Sequence, residues 1–172
     1  MSTKNLKQIA DKAKKNDFIS ISELMTGIEN KVFSRKEVSQ LIFKESHDSL
    51  KIGITGPPGA GKSSITNELI TKYRILNKSV AVIGVDPTSP FTGGALLGDR
   101  LRMAQHFSDD GVYIRSMASR GSQGGLSDKS HDVGNILDCA GFDIIIYETV
   151  GVGQIELDVM KSSDLVLSLI HI

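Results

Sequence analysis

The sequence predicts an α/β chain: a mostly parallel sheet flanked by helices, with a short helical extension at its N-terminal side. Three observations point there. The apolar runs at 79–85 and 142–147 are nearly continuous, as strands covered on both faces are, and 51–55 is a short β-rich run. Segments of helical period lie between them. Sixteen of the seventeen glycines lie at or after Gly53, and the first fifty residues contain only Gly27. The front therefore suits regular helix, and the remainder suits tight turns and close backbone approach.

Composition narrows the class. A length of 172 residues is about one domain's worth at ~150 residues per domain. Apolar residues at 40% and charged residues at 23% fit a globular chain and exclude a disordered one. Twenty basic residues balance twenty acidic ones, which gives no electrostatic case for nucleic acid or an anionic membrane. No uncharged apolar run reaches the ~18 residues of a membrane span. Residues 1–17 are Lys-rich without an apolar stretch of the secretory kind. Cys139 is the single cysteine, so an intrachain disulfide is impossible and a reducing cytoplasm suits the chain. The expectation is a soluble cytoplasmic protein.

Residues 1–48 read as the helical extension and 49–172 as the main domain. Leu6, Ile9, Ala10 and Ala13 recur at helical spacing. Ser20 with Glu23, and Ser34 with Glu37, have the spacing of capping boxes. Leu24, Met25, Ile28, Val32 and Phe33 follow the first box; Val38, Leu41 and Ile42 follow the second. Two or three short amphipathic helices result, and nothing in them carries chemistry.

The strand at 51–55 runs into Gly56-Pro-Pro-Gly-Ala-Gly-Lys-Ser-Ser64, a G-x-x-x-x-G-K-S motif. Glycines at 56, 59 and 61 let backbone N–H groups curl around phosphates, and the following helix aims the positive end of its dipole at the anion. Lys62 would bridge the β- and γ-phosphates, and the Ser63 hydroxyl would ligate Mg²⁺. Ile65, Leu69, Tyr73 and Leu76 give that helix an apolar stripe. The motif with strand before and helix after is that of a P-loop NTPase.

Two further strands end in acids, Asp86 and Glu148. Ligands of α/β sheets bind beyond the carboxyl ends of the strands, so both acids should converge on the phosphate loop. Glu148 suits the Walker B role, holding Mg²⁺ or its water shell. Glu148-Thr-Val-Gly151 would then carry a backbone N–H to the γ-phosphate. The segment 87–95 has no helix or strand pattern, and Asp86 to Gly98 is expected to order around bound triphosphate. Leu101, Met103, Ala104 and Phe107 suggest a helix with Asp99 near its start. Residues 112–117 read as a strand, 118–127 as a second Gly/Ser-rich loop, and 128–140 as a helix.

Five segments occur together and in order: Gly56-Pro-Pro-Gly-Ala-Gly-Lys-Ser63, Val85-Asp-Pro-Thr-Ser-Pro-Phe-Thr-Gly-Gly94, Gly98-Asp-Arg100, Arg115-Ser-Met-Ala-Ser-Arg-Gly121 and Glu148-Thr-Val-Gly-Val-Gly-Gln154. Over residues 20–166 the chain closely resembles the MeaB/ArgK-type GTPases, the methylmalonyl-CoA mutase-associated G-protein chaperones. The phosphate loop is generic; the other four segments are nearly diagnostic. The resemblance implies Mg²⁺-dependent GTP binding and hydrolysis, a homodimer, and service to an adenosylcobalamin-dependent acyl-CoA mutase. From the balanced charge no nucleic-acid or membrane partner is expected. By matching position, Gly56, Pro57, Pro58, Gly59, Ala60, Gly61, Lys62, Ser63, Ser64 and Gly151 would contact nucleotide. Ser63, Asp86, Asp99 and Glu148 would surround the metal. Lys62, Glu148 and Gln154 would serve the chemistry, Gln154 by orienting the attacking water. Residues 86–99 and 148–156 would be the two switches. The alternatives are a P-loop kinase linked to basic amino-acid transport, and a nucleotide-binding module that scarcely turns over.

The family's guanine-reading Asn-Lys-x-Asp motif and its dimerisation segment do not occur in the 172 residues. Asp164-Leu-Val-Leu167 starts another buried strand, and the expectation is a C-terminally truncated fragment. Leu167-Ser-Leu-Ile-His-Ile172 can be encoded by CTG TCT CTT ATA CAC ATC, the transposon-end adapter of a sequencing-library method. That tail is therefore expected to be read-through. His47, His106, His131 and His171 share no metal-ligand spacing with each other or with Cys139, which reads as a buried small hydrophobe. Arg115 and Arg120 could meet the γ-phosphate, a partner or water.

Overall fold

A computed structural model of the chain describes residues 3–42, 47–86, 103–118, 125–149 and 154–170. For residues 3–4, Asp86, Ala118, residues 125–128 and 154–156, and residue 158, the description is of the backbone alone. Three helices come first: α1 (Thr3–Ala13), α2 (Phe18–Glu29) and α3 (Arg35–Ile42). Then follow β1 (Leu50–Thr55), α4 (Lys62–Ile75), β2 (Val80–Asp86), a 3₁₀ turn at Ala104–His106 and β3 (Val112–Ala118). The last elements are α5 (Gly125–Cys139), β4 (Ile144–Thr149), α6 (Gln154–Lys161) and β5 (Leu165–Ser168). The five strands form one sheet in the order β3-β2-β4-β1-β5, and every neighbouring pair is parallel.

Strand period divides the core in two. Ile52 and Ile54 of β1, Val80 and Val82 of β2, and Ile144 and Ile146 of β4 face α4 and pack with its Ile65, Leu69, Ile70 and Tyr73. The alternate residues Ala81, Ile83 and Val85 of β2, Tyr113 and Met117 of β3, and Ile145 and Tyr147 of β4 join a second cluster with α1, α2, α3 and α5. Leu6, Ile9 and Ala13 of α1 and Ile21, Leu24, Met25 and Ile28 of α2 belong to that cluster. The N-terminal helices thus share a core with the sheet. Cys139 is buried in the same layer.

Several local expectations are corrected. Ser20 does not cap α2: it lies buried inside the helix, and Asp17 is the cap, its Oδ2 accepting the Ser20 N–H at 2.9 Å. Asp17 has extended backbone and a short carboxylate, which suits that place better than a residue needed for packing. The second box forms as expected, with Glu37 N–H donating to Ser34 Oγ and Ser34 N–H donating to Glu37 Oε2, both at 3.2 Å. Val32 lies beyond the end of α2 and is exposed. Leu76 caps α4 and is 67% exposed, so the stripe of that helix ends at Tyr73. Within 103–107 only the 3₁₀ turn forms, Met103 is buried and Phe107 faces solvent. β5 is an edge strand of the described sheet, covered on one side only by β1, and Leu165 is 47% exposed rather than buried. Its register with β1 pairs Ile54 with Leu167 and Thr55 with Ser168.

Acid side chains tie the strand entries together. Asp143, just before β4, accepts from Lys78 Nζ at 2.8 Å and from the Ser79 N–H at 2.8 Å. Lys78 chiefly, helped by the Ser79 N–H and hydroxyl, holds the Asp143 carboxyl below its ordinary range despite some burial. Arg74, donating to Asp109 through Nε and Nη2 at 2.9 Å each, does the same there. A carboxyl whose folded pKa is depressed contributes stability above its unfolded pKa and loses that contribution as pH falls through the folded value. Urea midpoints should therefore hold down to about pH 4 and fall below it, and Asp143→Asn should lower the neutral midpoint and flatten the acid limb. Equal acid limbs in the parent and Asp143→Asn would contradict this role.

Candidate active site

The phosphate-loop sequence forms a loop between β1 and α4 that only glycine can build at three points. Gly56, Gly59 and Gly61 have φ of 137°, 81° and 90°. Gly56 is also closed in by the Leu169 backbone carbonyl, so a Cβ there would collide with it. Pro57, Pro58 and Gly59 form the exposed crown of the loop, and Ala60 N–H donates to the Pro57 carbonyl at 3.2 Å. Gly61 is the N-cap of α4 and supplies no side-chain hydrogen bond. The first N–H groups of a helix have no intrahelical partner, so α4 presents them at the loop with its positive dipole end. That is an anion-binding arrangement.

Lys62 is buried, and its ammonium arches back over the loop to donate to the Gly56 carbonyl at 2.7 Å and the Pro57 carbonyl at 2.9 Å. An ammonium has three donors, so one remains for a ligand. Ser63 is the second residue of the same helix. Its Oγ donates to Glu148 Oε1 at 2.6 Å. Thr66 Oγ1 lies 2.7 Å from Glu148 Oε2. Glu148 is buried in β4, opposite Ile54 of β1, on the row of Ile144 and Ile146 that faces α4. Strand period thus points the carboxylate at the first turns of the phosphate-loop helix, and β4 extends one residue past it to Thr149. Glu148 is within the strand rather than just beyond it.

The tertiary structure therefore joins Lys62, Ser63 and Glu148, which are far apart in sequence. It places the backbone of Asp86 at the same sheet end, opposite Ala118 of β3, with Val85 opposite Thr149 of β4. Gln154 is the first residue of α6. Asp99, Arg120, Gly151, residues 87–99 of the first expected switch and residues 150–153 of the second lie outside the described residues. Arg115 is not directed at a phosphate. It points from β3 to α2, donating to the Ser22 carbonyl at 2.9 Å, Thr26 Oγ1 at 3.0 Å and Glu29 Oε2 at 2.9 Å. Its place in β3 explains this: it shares the alternating face of Tyr113 and Met117, which packs on the N-terminal helices, not the face of Glu148. Thr66 escaped the sequence reading. The signal was a polar residue four after Lys62 and four before Ile70, on the one helix face where all three are buried.

The donor set suits a hard divalent cation. One carboxylate and one hydroxyl meet at the loop, and a hydroxyl that donates its proton keeps lone pairs for a metal. Sheet, glycine loop, arched lysine and buried acid together define an α/β P-loop NTPase fold. A family model described as "Methylmalonyl Co-A mutase-associated GTPase MeaB" matches residues 21–172, and the chain belongs to that family. A putative GTPase of Pyrococcus horikoshii is 50% identical over 160 residues, covering 93% of this chain and 50% of its own length. The GTPase ArgK of Escherichia coli is 41% identical over 122 residues, 71% of this chain and 37% of its own. The fused isobutyryl-CoA mutase of Geobacillus kaustophilus is 48% identical over 105 residues, 60% of this chain and 10% of its own. A crystal structure of a LAO/AO transport system kinase superposes with a TM-score of 0.73 at 27% identity, covering 99% of this chain and 51% of that one. The chain spans about half the length of the first two curated relatives it matches. Among the described residues no helix is long and apolar enough to cross a membrane.

Proposed function

We propose that the protein binds and hydrolyses GTP with Mg²⁺, acting as a homodimeric cytoplasmic G-protein chaperone of an adenosylcobalamin-dependent acyl-CoA mutase. One observation carries the chemistry: the Ser63 hydroxyl and the buried Glu148 carboxylate, 2.6 Å apart, at the mouth of an uncapped phosphate loop. The loop from Gly56 to Ser64 would wrap the phosphates, with backbone N–H groups from its residues other than Pro57 and Pro58, which have none. Lys62, released from one loop carbonyl, would place its charge between the β- and γ-phosphates. Ser63 and Glu148 would hold the metal side, with Asp86 and Asp99 as further oxygen donors. Bound Mg²⁺ would supply charge neutralisation on the phosphates. Gln154 would orient the attacking water, and Gly151 would meet the γ-phosphate through its N–H.

Family membership supports GTP as the nucleotide. The family description and the relative named as a fused mutase support the partner class. Phosphate release measured with GTP and ATP, with Mg²⁺ or EDTA, and with or without a cobalamin-dependent acyl-CoA mutase, tests the whole reading. Slow Mg²⁺-dependent release from GTP, accelerated by the mutase, is expected. Transfer of the phosphoryl group to an amine or a protein side chain rather than water would replace it with the kinase reading, which the name of the superposed structure favours.

A further inference from the structure

Glu148 is met by two hydroxyls, and only one of them belongs to the phosphate-loop motif. The other is Thr66, one turn further along α4 and completely buried. A hydroxyl there calls for a reason, since Ile70 fills the equivalent inner position a turn later and a buried hydroxyl is costly unless bonded. Thr66 Oγ1 lies 2.7 Å from Glu148 Oε2 and 3.0 Å from the Lys62 carbonyl oxygen. It has one proton for two acceptors. The shorter contact and the charge of the acceptor favour the carboxylate. Ser63 would have to turn lone pairs toward a cation, whereas Thr66 keeps its place deeper in the helix–sheet interface.

We propose that Thr66 is a positioning residue. It clamps Oε2 of Glu148 so that Oε1 stays beside Ser63 Oγ, the oxygen pair that would hold the divalent cation. This rests on the reading of Glu148 as the metal-side acid.

The test is Thr66→Val, which exchanges the hydroxyl for a methyl group, with Thr66→Ser as the rescue and Thr66→Ala as a second hydroxyl-free variant. Fluorescent mant-GTP binding is titrated in EDTA and across Mg²⁺ concentrations, and thermal melting is followed in parallel. Affinity in EDTA should stay near the parent value, while the Mg²⁺ concentration for half-maximal tightening rises about tenfold or more, the usual cost of removing a partner that orients a metal ligand. Thr66→Ser should restore it. In a Glu148→Gln background Thr66→Val should add little, because the two residues act as one unit. A lower melting temperature with unchanged Mg²⁺ dependence in both hydroxyl-free variants would make Thr66 merely structural and overturn the proposal. If Glu148→Gln shifts the Mg²⁺ titration and Thr66→Val does not, Thr66 alone fails. If Glu148→Gln shifts nothing, the reading of Glu148 fails first.

Discussion

Lys62→Ala should weaken triphosphate binding by about a hundredfold or more, the order of effect seen when one partner of a buried charged contact is removed. Two geometric facts support a large effect on binding and a modest one on folding. The ammonium sits over the loop, and both of its internal partners are loop carbonyls, those of Gly56 and Pro57. The substitution truncates a buried side chain at the first residue of α4. It also removes two charge-assisted hydrogen bonds from the loop, and such bonds contribute about 1–3 kcal/mol net. The variant should therefore remain folded with a slightly lower melting temperature. Equilibrium binding of labelled GTP in Mg²⁺, read beside thermal melting, checks both halves. Affinity within a few-fold of the parent would show that Lys62 does not face the phosphates.

Glu148→Gln should slow hydrolysis at least tenfold and raise the Mg²⁺ requirement, while weakening nucleotide binding in EDTA very little. The substitution removes a charge with almost no change of shape. A glutamine carbonyl can still accept from the Ser63 hydroxyl. Its amide group would face Thr66, whose hydroxyl can turn to accept and give its own proton to the Lys62 carbonyl at 3.0 Å. The site stays satisfied, so stability should be near that of the parent or above it, since a buried carboxylate no longer needs compensation. Single-turnover rates across a Mg²⁺ titration separate the chemical step from binding. An unchanged titration would remove Glu148 from the metal side and leave it a structural acid joining α4 to β4.

Much of this was legible along the chain. The phosphate loop could be read because its conformation is local: three positive-φ positions occur at 56, 59 and 61, and each is glycine. The buried strands are readable because each must be apolar on both faces, and the expected bounds lie within two residues of the observed ones. The helix caps divided. Ser34 and Glu37 close on each other within one turn, whereas Ser20 has the same spacing but lost the cap to Asp17. Local spacing cannot tell a capping serine from one that packing draws into the helix.

The sequence by itself determined the loop, the alternating strand faces and the acids at the strand ends, because backbone sterics and period act over a few residues. It also carried the four family segments. Which residues meet was decided by the tertiary structure. Parallel order β2-β4-β1 sets Glu148 opposite Ile54, and the period of β4 turns it toward α4, where Ser63 and Thr66 reach it across more than eighty positions of chain. The same alternation turned Arg115 the other way, into an ion pair with Glu29 on α2. Both outcomes follow from a single physical fact: a strand residue's side is set by its register in the sheet, and register is a property of partners that lie far away in the sequence.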